Sequence, residues 1–389
     1  MKIQITKRIV QKIMDISEQR RISANLNMHT TNRINNNMSF LPDESGVRKE
    51  AIRFKENVKQ GNGKEFSVEE AMLALMLQSL IAGAFDLELG SFVWRALIDN
   101  SRVFTSSDFA ENAYLKNIRF DRRTIGDFEL EYQEYEPWEL SIYSTPASND
   151  DMYIEVPCIC AFSEKFTCPS ITQKSINSTW MSVTPNEVFT MNNAINSAKG
   201  KVLTLGCGMG YYAYMVSLKE EVESVVIVEK EQSVIDLFEE YIHPQFSEKS
   251  KVTIVKADAM DFLRELSDGE YDCCFADIWI GVTDIETYMT VKVIGRRFRE
   301  MRMMYWIEES FGIMLSGFVF LEIMEALSKE LGVPIAEYEG PQISEYEMRT
   351  KDFIHRLLEK ESITKVEHVD YYLNPKNILQ LIDRSDLAY

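Results

Sequence analysis

An α/β fold built on a doubly wound parallel sheet, preceded by a helical module and a small β-rich linking subdomain, is what the 389-residue sequence predicts. Three observations carry that expectation. Between residues 201 and 280, four apolar or β-branched runs alternate with helical patterns. The first run flows into a glycine triplet, and the other three lead into Glu229, Asp258 and Asp277. Strand and helix in strict alternation imply right-handed crossovers between parallel strands, and ligands of such sheets sit beyond the carboxyl ends of the strands.

Taken in order, residues 1–130 are predicted to be a helical N-terminal module. Ile9, Ile13 and Ile16 mark one helix face, and Ser67-Val-Glu-Glu70 is a capping box opening a long apolar pattern to Asp99. The Asn- and Thr-rich stretch 25–37 and Gln60-Gly-Asn-Gly63 are expected loops. Residues 131–184, rich in aromatic and β-branched residues and broken by Pro137, Pro146, Pro157 and Pro169, form the linking subdomain of short antiparallel strands. Trp138 and Trp180 are expected to pack at its junctions rather than to cage a substrate. Residues 185–310 hold the parallel sheet, with a fifth strand at 303–308, and residues 311–389 are an acidic helical extension interrupted by Pro334 and Gly340-Pro341. That extension is a candidate cap or homodimer surface.

The glycine run Lys201-Val-Leu-Thr-Leu-Gly-Cys-Gly-Met-Gly210 reads as a nucleoside-binding turn, because glycine both bends strand into helix and lets a ligand touch backbone. Gly206, Cys207, Gly208 and Gly210 would cradle the ligand, with Tyr211 and Tyr212 closing over it. Glu229 follows Gly210 by 19 residues, the distance at which a second strand delivers a carboxylate to ribose hydroxyls. Lys230 flanks it. Asp258 and Ala259 end the third run, where an acid either meets the base or caps the next helix. Asp277 and Trp279 end the fourth, where a reacting group would lie.

The four segments, in this order, resemble the class I S-adenosylmethionine-dependent methyltransferases over roughly residues 180–310. Leu205-Gly-Cys-Gly-Met-Gly210 matches their glycine motif. The resemblance implies a Rossmann-like sheet with Glu229 on the ribose, Asp258 on the adenine and Asp277 as the acid after the fourth strand. Within that superfamily, Val228-Glu-Lys-Glu-Gln-Ser-Val-Ile235, Tyr241-Ile-His-Pro244 and Ala257-Asp-Ala-Met-Asp-Phe-Leu263 are most similar to the spermidine synthase branch. Two departures stand out: Met209 replaces the acid usual in that branch's loop, and Ala276-Asp-Ile-Trp-Ile-Gly281 replaces its serine-rich sequence. The implied activity is methyl transfer from S-adenosyl-L-methionine to a small molecule, with Asp277 catalytic and Trp279 and Tyr212 on the substrate. Aminopropyl transfer to an amine from the decarboxylated donor is the alternative, and a noncatalytic nucleoside-binding protein the second.

A net charge of −19 opposes nucleic-acid phosphates, so no nucleic-acid partner is expected. The run Lys292, Arg296, Arg297, Arg299, Arg302 is expected to be a solvated helix face. Residues 311–327 form the most apolar window, but Glu322 and Glu325 interrupt it, which predicts a buried helix rather than a membrane span. With no apparent secretion signal the chain is expected to be cytoplasmic. Cys158, Cys160 and Cys168 lack a second paired half, so structural thiols and no metal are expected. Gly206-x-Gly208-x-Gly210 also lacks the wider spacing of dinucleotide dehydrogenases.

Overall fold

The computed structural model describes residues 1–35, 44–59, 63, 65–82, 92–149, 153–332 and 345–389. The expected turn at Gln60–Gly63 falls almost wholly outside these residues, as do Pro334, Gly340 and Pro341 and part of the apolar pattern before Asp99. Five parallel strands make the central sheet: β1 Gly200–Leu205, β2 Val222–Glu229, β3 Val252–Lys256, β4 Cys273–Ala276 and β5 Arg302–Tyr305. Their order is β3-β2-β1-β4-β5. The winding reverses between β1 and β4, so the crevice for a ligand opens where Gly206 and Asp277 leave adjacent strands. Main-chain pairing continues to that edge, with Gly206 N on Val228 O at 2.8 Å and Asp277 N on Leu205 O at 2.9 Å.

Strand alternation divides the core in two. Val202, Cys273 and Phe275 face one cluster, and Leu203, Leu205, Cys274 and Ala276 face the other. The adjacent thiols Cys273 and Cys274 therefore point to opposite faces. The first cluster joins the sheet to the β-rich subdomain through stacked aromatics such as Phe162 on Phe166, 4.2 Å between centroids. The second joins it to the C-terminal helices, where Phe311, Leu315 and Ile323 of helix Glu308–Leu331 are completely buried. This is the apolar window: long and apolar enough to cross a membrane, it has 67% of its 18-residue core buried inside the fold.

The β-rich part begins earlier than residue 131. Arg102–Phe104 pairs with Ile154–Phe162, which also pairs with Leu140–Asn149, and a second sheet runs Arg123–Ile125, Phe128–Tyr135, Phe166–Gln173, Ser178–Ser182. Pro137 lies in the turn between Tyr135 and Leu140 as expected, but Pro146, Pro157 and Pro169 fall within strands. Pro146 and Pro157 lie where the register shifts between Ser144 and Ala147, at an irregularity that needs no ladder donor.

The helical module contains helices Lys7–Asn35, Glu44–Asn57, Val68–Ala82 and Phe92–Asp99. Its capping box is as expected: Ser67 N donates to Glu70 Oε2 at 2.7 Å and Glu70 N to Ser67 Oγ at 3.0 Å. The expected loop over 25–37 is instead helical to Asn35, because Leu26 is buried and Ser23 Oγ reaches Glu155 O at 2.8 Å. Tertiary packing overrides weak propensity there. The first helix threads two cores, burying Ile9, Ile13 and Ile16 beside the C-terminal helices and Leu26 in the helical module. Strand Lys2–Ile3 also pairs with Ser362–Ile363, tying the two ends of the chain together.

The basic run is only in part a solvated face: Arg297, Arg299 and Arg302 are exposed, but Lys292 is buried and Arg296 half-buried. Lys292 is buried and bridges Glu308 at 2.8 Å and Asp383 at 3.0 Å, while Arg296 donates to the carbonyls of Ser385 and Leu387, each at 2.6 Å. These cations fasten the C-terminal segment to the helix before β5. The signal that misled was like charge in sequence, since its partners lie about 90 residues away.

Candidate functional site

The glycine turn lies at the carboxyl end of β1, and its backbone demands glycine twice over. Gly206 has φ +95, and a Cβ there would stand 2.2 Å from the Asp277 carbonyl oxygen. Gly208 has φ +48, and its Cβ would meet Met181 Cε at 2.5 Å. The loop is therefore closely covered by the chain itself, by the β4 end on one side and by strand Ser178–Ser182 on the other.

Glu229, at the end of β2 and 9% exposed, is committed to the backbone. Its Oε2 accepts from Cys207 N at 3.0 Å, and its Oε1 from Lys230 N at 2.8 Å and Glu231 N at 2.9 Å. Three amides on one carboxylate lock the glycine loop to the next strand. Lys230 joins only through its amide, and its side chain is exposed. Asp258 is exposed and caps helix Ala259–Glu265, its Oδ1 accepting from Met260 N at 2.9 Å and Asp261 N at 3.2 Å. Ala259 is buried in the C-terminal core.

Asp277 differs from both. Its carboxylate accepts no hydrogen bond from any described residue, and burial together with the negative Glu187 raises its pKa from 3.8 to about 8. Glu187 is itself raised to about 7 by burial, although Thr184 N donates to it at 2.6 Å in a capping box at the start of helix Pro185–Ser197. The composition gave Glu187 no prominence as a site residue. The signal available was Thr184-Pro-Asn-Glu187, which predicts a cap but not the neighbouring Asp277.

Asp277, Gly206, Cys207, Tyr211 and Tyr212 line one small cavity together with Met181. Tyr212 stacks on Phe275 at 4.2 Å with its hydroxyl buried and unpartnered, while Tyr211 Oη accepts from Asn112 Nδ2 at 3.0 Å. Burial pushes the Cys207 thiol and the Tyr212 phenol well above their ordinary values, so neither supplies an anion at neutral pH. Met209 is fully buried, and its carbonyl accepts from Tyr114 Oη. It turns into the core rather than standing in for the branch's loop acid.

Trp279 is a correction. It does not line the cavity; it is buried on the opposite face, edge-on to Tyr288 at 5.5 Å and Phe311 at 5.6 Å. Strand alternation would have kept it beside Asp277, but β4 ends at Ala276 and the chain turns. Among the described residues no group of three His, Cys, Asp or Glu side chains could hold a metal, and all six cysteines are free and buried.

Residues 187–302 match the family model of the spermine/spermidine synthase domain. A search of curated proteins gave no match. Among solved structures, the PRMT1 enzyme-prozyme heterotetrameric complex with AdoHcy from Trypanosoma brucei is 16% identical, over 31% of this chain and 37% of that one, with a TM-score of 0.23. Spermidine synthase from Thermotoga maritima is 17% identical, over 32% of this chain and 48% of that one, with a TM-score of 0.24. This chain thus spans less than half of either neighbour, and its fold is read from its own topology. The domain at residues 187–302 is thus similar in sequence to the spermine/spermidine synthase domain, and the chain's β3-β2-β1-β4-β5 parallel sheet with its glycine turn is Rossmann-like.

Proposed function

We propose that this protein transfers a methyl group from S-adenosyl-L-methionine to a small amine. The observation that carries the reading is Asp277, a carboxyl at the topological switch point with no hydrogen-bond partner among the described residues and a pKa raised to about 8. A neutral amine that attacks a sulfonium carbon becomes an ammonium and must then shed a proton, and a base tuned close to working pH accepts it best. As nitrogen bonds to the methyl carbon the sulfur–carbon bond breaks, the thioether leaves neutral, and the proton of the new ammonium passes to Asp277. Glu187 adds a second acid whose charge, when ionised, favours a cationic acceptor in the crevice. Glu229, which accepts from three amides, holds the loop and offers its one remaining lone-pair site to the donor ribose.

Aminopropyl transfer from the decarboxylated donor is the second reading. It is favoured by the family match over 187–302 and by apolar Met181 above Gly208, where the donor's amino-acid end would lie. In either case Met181 must swing off the loop to admit the donor.

Calorimetric titration of the full chain with S-adenosylmethionine, its decarboxylated form, S-adenosylhomocysteine and NAD tests the proposal, followed by mass spectrometry of products from an amine panel. Saturable binding of the carboxylated donor and a gain of one methyl group is the expected result. A gain of an aminopropyl group selects the second reading, and binding of NAD alone removes both.

A further inference from the structure

We propose that the cleft between residues 106–120 and the antiparallel strands Phe128–Tyr135 and Phe166–Gln173 is a second ligand site, for an organic anion with an aromatic body. The cleft encloses about 780 Å³, room for a small organic molecule. Its floor is aromatic: Phe109 packs on Phe166 at 5.2 Å, and Phe120 stacks on Tyr132 at 4.7 Å. Its rim carries Lys116, Arg119 and Lys165, and no carboxylate lines it. That is unexpected in a chain with 61 acidic residues against 42 basic ones, and it leaves cations as the charged groups that line the cleft wall.

The three cations differ in how free they are. Lys116 pairs with Glu111 at 3.1 Å and Lys165 with Glu134 at 2.8 Å and Glu136 at 3.7 Å, all solvent-exposed and so exchangeable for a bound anion. Arg119 has no carboxylate within ion-pair distance among the described residues; its guanidinium donates to the carbonyls of Leu115 and Ile118. Its backbone is fixed by Gln245, whose Oε1 accepts from Arg119 N at 2.9 Å and whose Nε2 donates to Arg119 O at 2.7 Å. The guanidinium thus starts from an anchored position, with planar donors suited to a carboxylate.

This cleft is separate from the crevice at Asp277. Helix Ala113–Asn117 stands between them: Tyr114 and Asn117 bond to Met209 O and Tyr214 Oη on the glycine-loop side, while Leu115 and Lys116 face the cleft.

Calorimetry with naphthalene-1-carboxylate, and with naphthalen-1-ylmethylammonium as the isosteric cation, tests the site in the full chain. One saturable site for the carboxylate is expected, with the ammonium at least about tenfold weaker. Arg119→Glu, an exposed change checked by thermal melting, should weaken the carboxylate by about tenfold or more, and Lys116→Glu by less. Equal binding of the two probes, undiminished binding to Arg119→Glu, or displacement of the carboxylate by S-adenosylhomocysteine would overturn the proposal.

Discussion

Two carboxylates stand at the ends of neighbouring regions of one sheet, and they are treated in opposite ways. Glu229, the last residue of β2, takes three backbone amides and is 9% exposed; Asp277, just beyond β4, takes none from the described residues. A carboxylate bonded to three amides clamps the glycine loop to the next strand. One left in a half-buried crevice beside another acid is held in its neutral form, ready to exchange a proton with whatever enters. The lesson is that acids at equivalent strand ends divide into scaffold and chemistry according to how much of their hydrogen-bonding capacity the chain has used.

The comparison breaks most visibly in stability. Glu229→Ala should destabilise the fold by about 3–4 kcal/mol, because it strips charged acceptors from three amides, one of them buried. Chemical denaturation reads this, and a loss below about 1 kcal/mol would show that the loop stands without Glu229. Gly206→Ala should cost about 2–3 kcal/mol through a positive φ and a Cβ driven against the Asp277 carbonyl. Gly281→Ala, with nothing within 4 Å of the new Cβ and an extended backbone, should stay within about 0.5 kcal/mol.

Asp277→Asn should act in the other direction. A carboxyl raised from 3.8 to about 8 keeps its proton in the folded state while the unfolded chain loses it. Stability therefore falls as pH rises from about 4 to about 8, a loss the amide does not suffer. The variant should match the wild type below pH 4 and gain on it progressively, by up to about 1.4 kcal/mol per pH unit, as pH rises to 8. A constant difference across that range would place the raised pKa elsewhere. The smallest expected effect is that of Met181→Ala, which clears the space above Gly208 and should tighten donor binding by a factor of about three to five. Weaker binding would make Met181 part of the donor pocket rather than its cover.

The sheet was legible in the sequence because alternation, β-branched runs and glycine are local signals. Each of the first four strands lies where its run predicted, and the fifth begins at Arg302, one residue early. What escaped depended on tertiary partners. The Asn-rich helix 25–35 is held by Leu26 and Ser23 against other segments, and the basic helix end by carbonyls near the C-terminus. At the site, the positions of Glu229, Asp258 and Asp277 could be read from spacing, but their different states could not. Asp258 is a helix cap, Glu229 a loop clamp, and only Asp277 is unspent. Trp279 belonged to the wrong face because one turn after β4 cancels the alternation that would have placed it.

The most direct test of this division is the pH dependence of turnover at saturating donor, in the wild type and in Asp277→Asn, with an amine acceptor found in the product screen. The account predicts an inflection near pH 8 in the wild type, and a loss in Asp277→Asn of about 100-fold or more in turnover together with that inflection, at unchanged affinity for S-adenosylhomocysteine. Equal turnover with the same inflection in both proteins would contradict it.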